Sequence, residues 1–301
     1  MSGFGSVLRY ANRPLKRFED ARAASAYATA FDVFGIQHLV LFDPELIEQV
    51  LVGEHSSFAK DAFIRDLEAI LGKGLLNSEG DQWRRQRRLT APSLQRGEIA
   101  VYGEQMVDSV QRFVSALKSG EPFDAHAAMM HLTLDILGRT LFGTEVSRVR
   151  EVETALEAVM LEYSPLRITL RTALPTWVTF PSRRRLAKLR MALDSVLLEL
   201  LTERRRLCQP GTDLLSRLLA ARDTEGGLSD AELRDQTMTL FLAGHETTAL
   251  VLTYTLRLLA LHPAAAEGVQ LELRRVLAGR PPTVAHIPEL VFTRAVLDET
   301  M

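Results

Sequence analysis

Six consecutive residues, Ala243-Gly244-His245-Glu246-Thr247-Thr248, put a carboxylate, an imidazole and two hydroxyls beside two residues with almost no side chain. They sit in the middle of 237–261, a proline-free, strongly apolar run that reads as a helix. A carboxylate inside an apolar helix is strongly unfavourable unless paired. Glycine there costs about 1 kcal/mol against alanine. Local rules broken together at one point mark a functional site. Residues four apart share a helix face, so Ala243 and Thr247 line one face with Gly244 and Thr248 beside them. Small side chains leave a gap there, bounded by a hydroxyl and a carboxylate, and such a gap suits a small polar ligand. Glycine also lets a helix widen and release a carbonyl. The plainer alternative is a core helix with a kink and a satisfied glutamate. His245-Glu246 opens a zinc-type HExxH pattern, but Ala249 stands where its second histidine belongs, which rules that pattern out.

The second constellation is Trp83-Arg84-Arg85-Gln86-Arg87-Arg88. Trp83 and Arg87 share a helix face, and an indole N–H beside a guanidinium makes a donor pair suited to a carboxylate. Arg85 points roughly opposite, and Arg88 lies well off that face. A solvated face is the plain reading of such a run, and nucleic acid or anionic lipid the sharper one. His126 and His131 have a poor metal spacing, Met129, Met130 and Met238 read as core fillers, and Trp177 follows Pro175 in a loop. Cys208 lies in a charged turn with no glycine-rich loop around it and reads as inert.

The elements that must position these residues are mostly helical. Helices are expected over 14–30, 44–52, 99–119, 125–142, 151–164 and 182–207, with a short one over 213–222. Residues 31–42, β-branched and aromatic around a turn at Gly35, are the best strand candidate. Asp81 is placed to cap the arginine-rich helix, which Pro92 interrupts. Ser229 and Glu232 have capping-box spacing and start the central helix; His262-Pro263 ends it, and a last helix begins near Pro288. With no internal repeat and no linker, the expectation is a single domain over 1–301, mainly α with a minor N-terminal β element.

The composition agrees with a globular protein. The 301-residue chain is 47% hydrophobic with a formal charge of −2, so no global basic field would gather nucleic acid. One cysteine excludes an internal disulfide and a multi-cysteine zinc site, and a cytoplasmic location is expected. No signal peptide is read at the N-terminus. The central run is long enough to span a bilayer, but His245 and Glu246 near its middle favour a buried helix over a membrane span.

The run Ala243-Gly244-x-Glu246-Thr247-Thr248 resembles the oxygen-activating helix of cytochrome P450 monooxygenases. Three further stretches resemble segments of the same family. They are the Trp83-x-x-x-Arg87 helix between GLLNSEGDQ and LTAPSL, the LTLDILGRTLFG run over 132–143, and DLLSRLLAARD followed by GGLSDAELRDQ. The resemblance implies haem b as cofactor, with Trp83 and Arg87 on a propionate and Ala243 and Gly244 beside the macrocycle. It implies Thr247 hydrogen-bonding iron-bound oxygen and Glu246 relaying protons. It also implies electrons from NAD(P)H through a ferredoxin or flavodoxin and its reductase, docking at Arg85 and Arg88. One oxygen atom would enter a lipophilic organic substrate, contacted by 61–71 and 165–181. Glu299 matches the glutamate of the family's Glu-x-x-Arg motif, whose arginine would follow Met301. The thiolate ligand would lie further on, so the chain is expected to be a C-terminally truncated, incomplete P450 fold that is inactive alone. The alternatives are an inactive truncated product and a helical small-molecule-binding protein.

Overall fold

The computed structural model describes residues 14–33, 36–60, 62–143, 181–206, 211, 213–223 and 226–301, with isolated positions at 154 and 158. Cys208, Trp177, the Gly35 turn and the expected helix over 151–164 fall outside these residues or nearly so. The chain forms two compact units, Met1–Asp66 with Ala158–Ala187, and Leu67–Glu157 with Lys188–Met301.

In the first unit, helix α1 (Pro14–Ala24) leads into an antiparallel hairpin of β1 (Ala28–Val33) and β2 (Ile36–Leu41), registered from Ala28 opposite Leu41 to Val33 opposite Ile36. The sequence placed the helix end six residues later, at position 30. It ends earlier because Ser25 Oγ accepts the amides of Tyr27 (3.2 Å) and Ala28 (3.4 Å), which turns the chain into the strand. The Thr29 hydroxyl then ties β1 back to the Ala21 carbonyl at 2.8 Å, and the Arg22 guanidinium lies 5.4 Å from the centre of the Phe42 ring. Asp43 caps α2 (Pro44–Glu48), accepting from the Glu45 and Leu46 amides, and a π turn, Gln49–Gly53, replaces the rest of the expected helix.

The second unit is helical. It receives the end of α3 (Ala62–Leu71) and holds α4 (Gly80–Thr90), α5 (Arg96–Ala116), α6 (Ala125–Phe142), the body of α7 (Pro181–Arg206) and α8 (Leu214–Ala220). Strands β3 (Arg222–Asp223) and β4 (Gly226–Gly227) form a minimal hairpin. Then follow α9 (Asp230–Leu261), α10 (Pro263–Leu277) and α11 (Val291–Thr300). The molecule is mainly α with a small β element near its N-terminus.

Several helix starts have a side-chain cap. Asp124 accepts the Ala127 amide at 3.0 Å to start α6, and Asp213 accepts the Ser216 amide at 3.0 Å to start α8. Ser229 and Glu232 make the reciprocal box expected at α9. Asp81 does not cap α4: the N-cap is Glu79, without a side-chain bond, and Asp81 lies exposed in the first turn, 2.6 Å from Arg84. Carboxylates in a first turn favour the helix through its dipole without capping it.

The centre of this unit is the contact of α9 with α6. Arg234, Met238, Phe241, His245 and Ala249 recur along one buried face of α9. Phe241 meets Phe142 with ring centres 6.1 Å apart, and Ala249 packs with Met129 and Leu132. Leu134, Leu193, Leu197, Leu218 and Met238 are fully enclosed. No single helix among the described residues is long and apolar enough to cross a membrane; α9 and α10 pass that test only as a pair, bent by 112°.

Candidate haem-facing site

The central motif sits halfway along an unbroken α-helix. The expected local widening at Gly244 is absent: residues 230–261 are α-helical throughout. The Ala243 carbonyl accepts the Thr247 hydroxyl one turn on. The i to i−4 bond is the usual way a threonine satisfies itself in a helix, and it holds the side chain against the backbone.

The motif divides between two faces. His245 is buried, with Nε2 3.1 Å from the Met130 carbonyl and its ring 5.8 Å from that of Phe241. That pins α9 to α6 and makes His245 a packing residue. Gly244 also turns toward α6. A Cβ added there would lie 3.1 Å from Leu137 Cδ1, so the missing side chain lets the helices close up. Gly244 therefore also has a place at the helix contact.

Ala243, Thr247 and Thr248 occupy the other face and are exposed. Glu246 is half-buried beside them, and among the described residues nothing hydrogen-bonds or pairs with its carboxylate. The sequence paradox of a carboxylate in an apolar helix is resolved by position, because Glu246 lies at the border of the open face and keeps access to water. Ala243 and Thr247 lie one turn apart on the same line of the helix, with Glu246 on one flank and Thr248 on the other, so a methyl and a hydroxyl can pack against a flat ligand with a carboxylate beside it.

The arginine-rich helix splits in the same manner. Gln86, Leu89 and Thr90 are its buried face. Trp83 is half-buried, Arg87 is exposed, and the Arg87 guanidinium carbon stands 5.0 Å from the centre of the Trp83 indole. Stacking on an aromatic ring holds the guanidinium in place while its N–H groups stay available. Among the described residues Arg87 has no carboxylate partner. Arg85 departs from expectation. It pairs with Glu232 at 3.0 Å and donates to the Gly227 carbonyl at 3.2 Å, with only 17% of its side chain exposed. It ties α4 to the start of α9 and is not a docking cation. Arg88 is exposed and lines a groove with Arg217, Arg222 and Ser93. Glu299 is exposed at the end of α11, with no ion pair among the described residues. His126 and His131 are both exposed, and among the described residues no three metal-binding side chains cluster.

Sequence reasoning missed two groups. Arg234, Asp235 and Gln236 hold the backbone of the segment before α4, and Glu272 caps α11 by accepting the amides of Phe292 and Thr293, both at 2.8 Å. The signal for the first was present, since three polar residues in a row near the start of a buried helix need partners.

The second unit is thus a mainly helical assembly built on one long helix, with small residues exposed midway along it and a stacked Trp–Arg pair on α4. The chain belongs to the cytochrome P450 family, whose family model matches residues 4–301. It is 32% identical over 265 residues to cyclooctat-9-en-7-ol 5-monooxygenase of Streptomyces melanosporofaciens, covering 86% of this chain and 57% of that relative. It is 34% identical over 268 residues to cyclooctatin synthase of the same organism, again 86% of this chain and 57% of the relative. Pentalenene oxygenase of Streptomyces avermitilis is 33% identical over 264 residues, 86% of this chain and 58% of the relative. The crystal structure of the cytochrome P450DA heme domain superposes with a TM-score of 0.83 at 25% identity, covering 95% of this chain and 64% of that one. The chain thus spans a little over half the length of the curated relatives it matches.

The family's cofactor is haem, a flat macrocycle with two carboxylates. The residues present fit it: Arg87 presents unpaired N–H groups to a carboxylate, and the Ala243–Thr247 strip presents no side chain bulky enough to bar a flat ring.

Proposed function

We propose that this chain forms the oxygen-side part of a haem monooxygenase that inserts one atom of O2 into a lipophilic organic substrate. The observation that carries the reading is the exposed Ala243 and Thr247 beside an uncommitted Glu246, on a helix whose opposite face joins the core. Haem, when bound, supplies the binding and reductive cleavage of O2. This chain's own side chains bind and orient that group and handle protons on its oxygen side.

Trp83 and Arg87 would hold a propionate, both side chains carrying N–H donors suited to a carboxylate. Ala243 gives the macrocycle room. The Thr247 hydroxyl accepts or donates at the oxygen side, after rotating from the Ala243 carbonyl it now holds. Glu246 exchanges protons with water at the rim and passes them to Thr247, a role that accelerates such steps by about 10²–10⁴. Electrons come from NAD(P)H through a ferredoxin or flavodoxin and its reductase, and the exposed Arg88 is the remaining candidate contact for an acidic donor protein. Two relatives carry cyclooctat-9-en-7-ol and pentalenene in their names, which supports an apolar organic substrate for this chain too.

The test is Thr247→Ala in the full-length haem-loaded enzyme of which this chain is the oxygen-side part, supplied with electrons. Haem content stays unchanged, while NAD(P)H consumption shifts from product to hydrogen peroxide. Product formation still matched to NAD(P)H use would remove Thr247 from the proton path.

A further inference from the structure

The segment between α3 and α4 has no regular structure, yet much of its backbone is held by side chains. From α9, Arg234 Nη2 donates to the Ile70 carbonyl at 2.7 Å, Asp235 Oδ2 accepts the Lys73 amide at 2.7 Å, and Gln236 Oε1 accepts the Leu75 amide at 3.2 Å. From α4, the fully buried Gln86 donates Nε2 to the Lys73 carbonyl at 2.9 Å. Asn77 donates to the Gly72 carbonyl at 2.9 Å. Gly72 has φ of +70°, and a side chain there would run into the Asp235 carboxylate; one at Gly74 would run into the Thr239 hydroxyl. The loop therefore lies flat on α9 with no slack.

Residue 73 is held from both sides. Its N–H goes to Asp235 and its carbonyl to Gln86, so two adjacent peptide groups bridge the core helix to the helix of Trp83 and Arg87. Gln86 immediately precedes Arg87. Ala243 lies eight positions after Asp235 on the same unbroken helix, α9.

We infer that Asp235 and Gln86 are positioning residues, which through the Lys73 backbone set where the Trp83–Arg87 pair stands relative to the Ala243–Thr247 strip. The inference deepens the haem reading and rests on it. Neither residue touches the cofactor. Their effect is transmitted, as with outer partners that orient a binding group.

The experiment titrates haem into the full 301-residue chain by Soret absorbance and measures backbone hydrogen exchange of the same proteins. Asp235→Ala and Gln86→Ala each weaken haem binding on the order of tenfold. Asp235→Asn, which keeps an oxygen on the Lys73 amide, restores most of the affinity. Asp235→Ala adds nothing in an Arg87→Ala background, since no anchor is left to misplace; a general folding defect would still add. The Lys73 amide and residues 80–90 exchange faster in Asp235→Ala. If that variant does not fold, Gln86→Ala, which leaves Arg234–Asp235 untouched, carries the same comparison. Wild-type affinity in the Asp235 and Gln86 variants, with Arg87→Ala weakened, overturns the positioning role, as does full additivity with Arg87→Ala. If Arg87→Ala itself leaves haem affinity unchanged, the haem reading fails, and exchange over 80–90 alone then decides whether Asp235 positions that helix.

Discussion

At the scale of single residues, exposure and partners divide the motif residues into those that hold the fold and those left open. His245 and Gly244 are engaged with α6, and Arg85 with Glu232 and Gly227. Thr247, Glu246 and Arg87 remain accessible. The distinction is testable. Arg85→Ala destabilises the protein by about 1.5–3 kcal/mol, the range for hydrogen bonds to charged groups, whereas Arg87→Ala changes the urea midpoint little. Equal losses would mean the two faces are assigned wrongly. Glu272 gives a prediction in pH. Burial pushes its carboxyl upward, but hydrogen bonds from the Phe292 and Thr293 amides and the Thr293 hydroxyl, with the nearby Arg275, outweigh that and hold it below the usual carboxylate range. A group depressed in the folded state contributes stability that is complete above its unfolded value. That contribution is lost as pH falls through the depressed folded value. Glu272→Gln is therefore less stable than wild type at neutral pH, and thermal melts of the two converge in acid. A gap that persists unchanged in acid contradicts this account of the cap.

At the scale of elements, the sequence made some features plain and hid others, for physical reasons. The capping box at Ser229, the bounds of α6 over 125–142 and the break at His262-Pro263 were legible because each rests on local chemistry. The Trp83–Arg87 pairing was legible because helix spacing forces it. What the sequence hid depends on tertiary partners. Nothing local says that Gly244 faces Leu137, that Arg85 finds Glu232, or that Asp235 holds Lys73, since those partners lie far away in sequence. The widening that Gly244 would permit is not taken up, and the Thr247 hydroxyl bonds the Ala243 carbonyl within a regular helix. Ser229→Ala should lower stability by about 1 kcal/mol, the ordinary value of an N-cap. Gly72→Ala should lower it by more, since φ is positive there and the Asp235 carboxylate stands in the way. Chemical denaturation of both variants checks the order, and a milder effect from Gly72→Ala would contradict the tightly held loop.

At the scale of the whole molecule, stability and function draw on the same helix from opposite sides. The buried face of α9 joins α6 in a core of leucine, phenylalanine and methionine. Leu134→Ala, at a fully enclosed position, should cost about 2–5 kcal/mol without altering the open strip. The open face of the same helix carries the residues proposed to meet haem, so the central claim is that haem lies between that strip and the Trp83–Arg87 pair. The chain has two tryptophans, and replacing Trp177 by phenylalanine leaves Trp83 as the sole reporter. The most direct measurement is the fluorescence of that single-tryptophan protein as haem is added, repeated with Ala243→Phe. Haem at the proposed place quenches Trp83 almost completely at one equivalent, and a phenyl group on the strip weakens that binding while leaving the unliganded emission unchanged. Haem that binds without quenching Trp83, or that binds equally well with phenylalanine at position 243, would contradict the account.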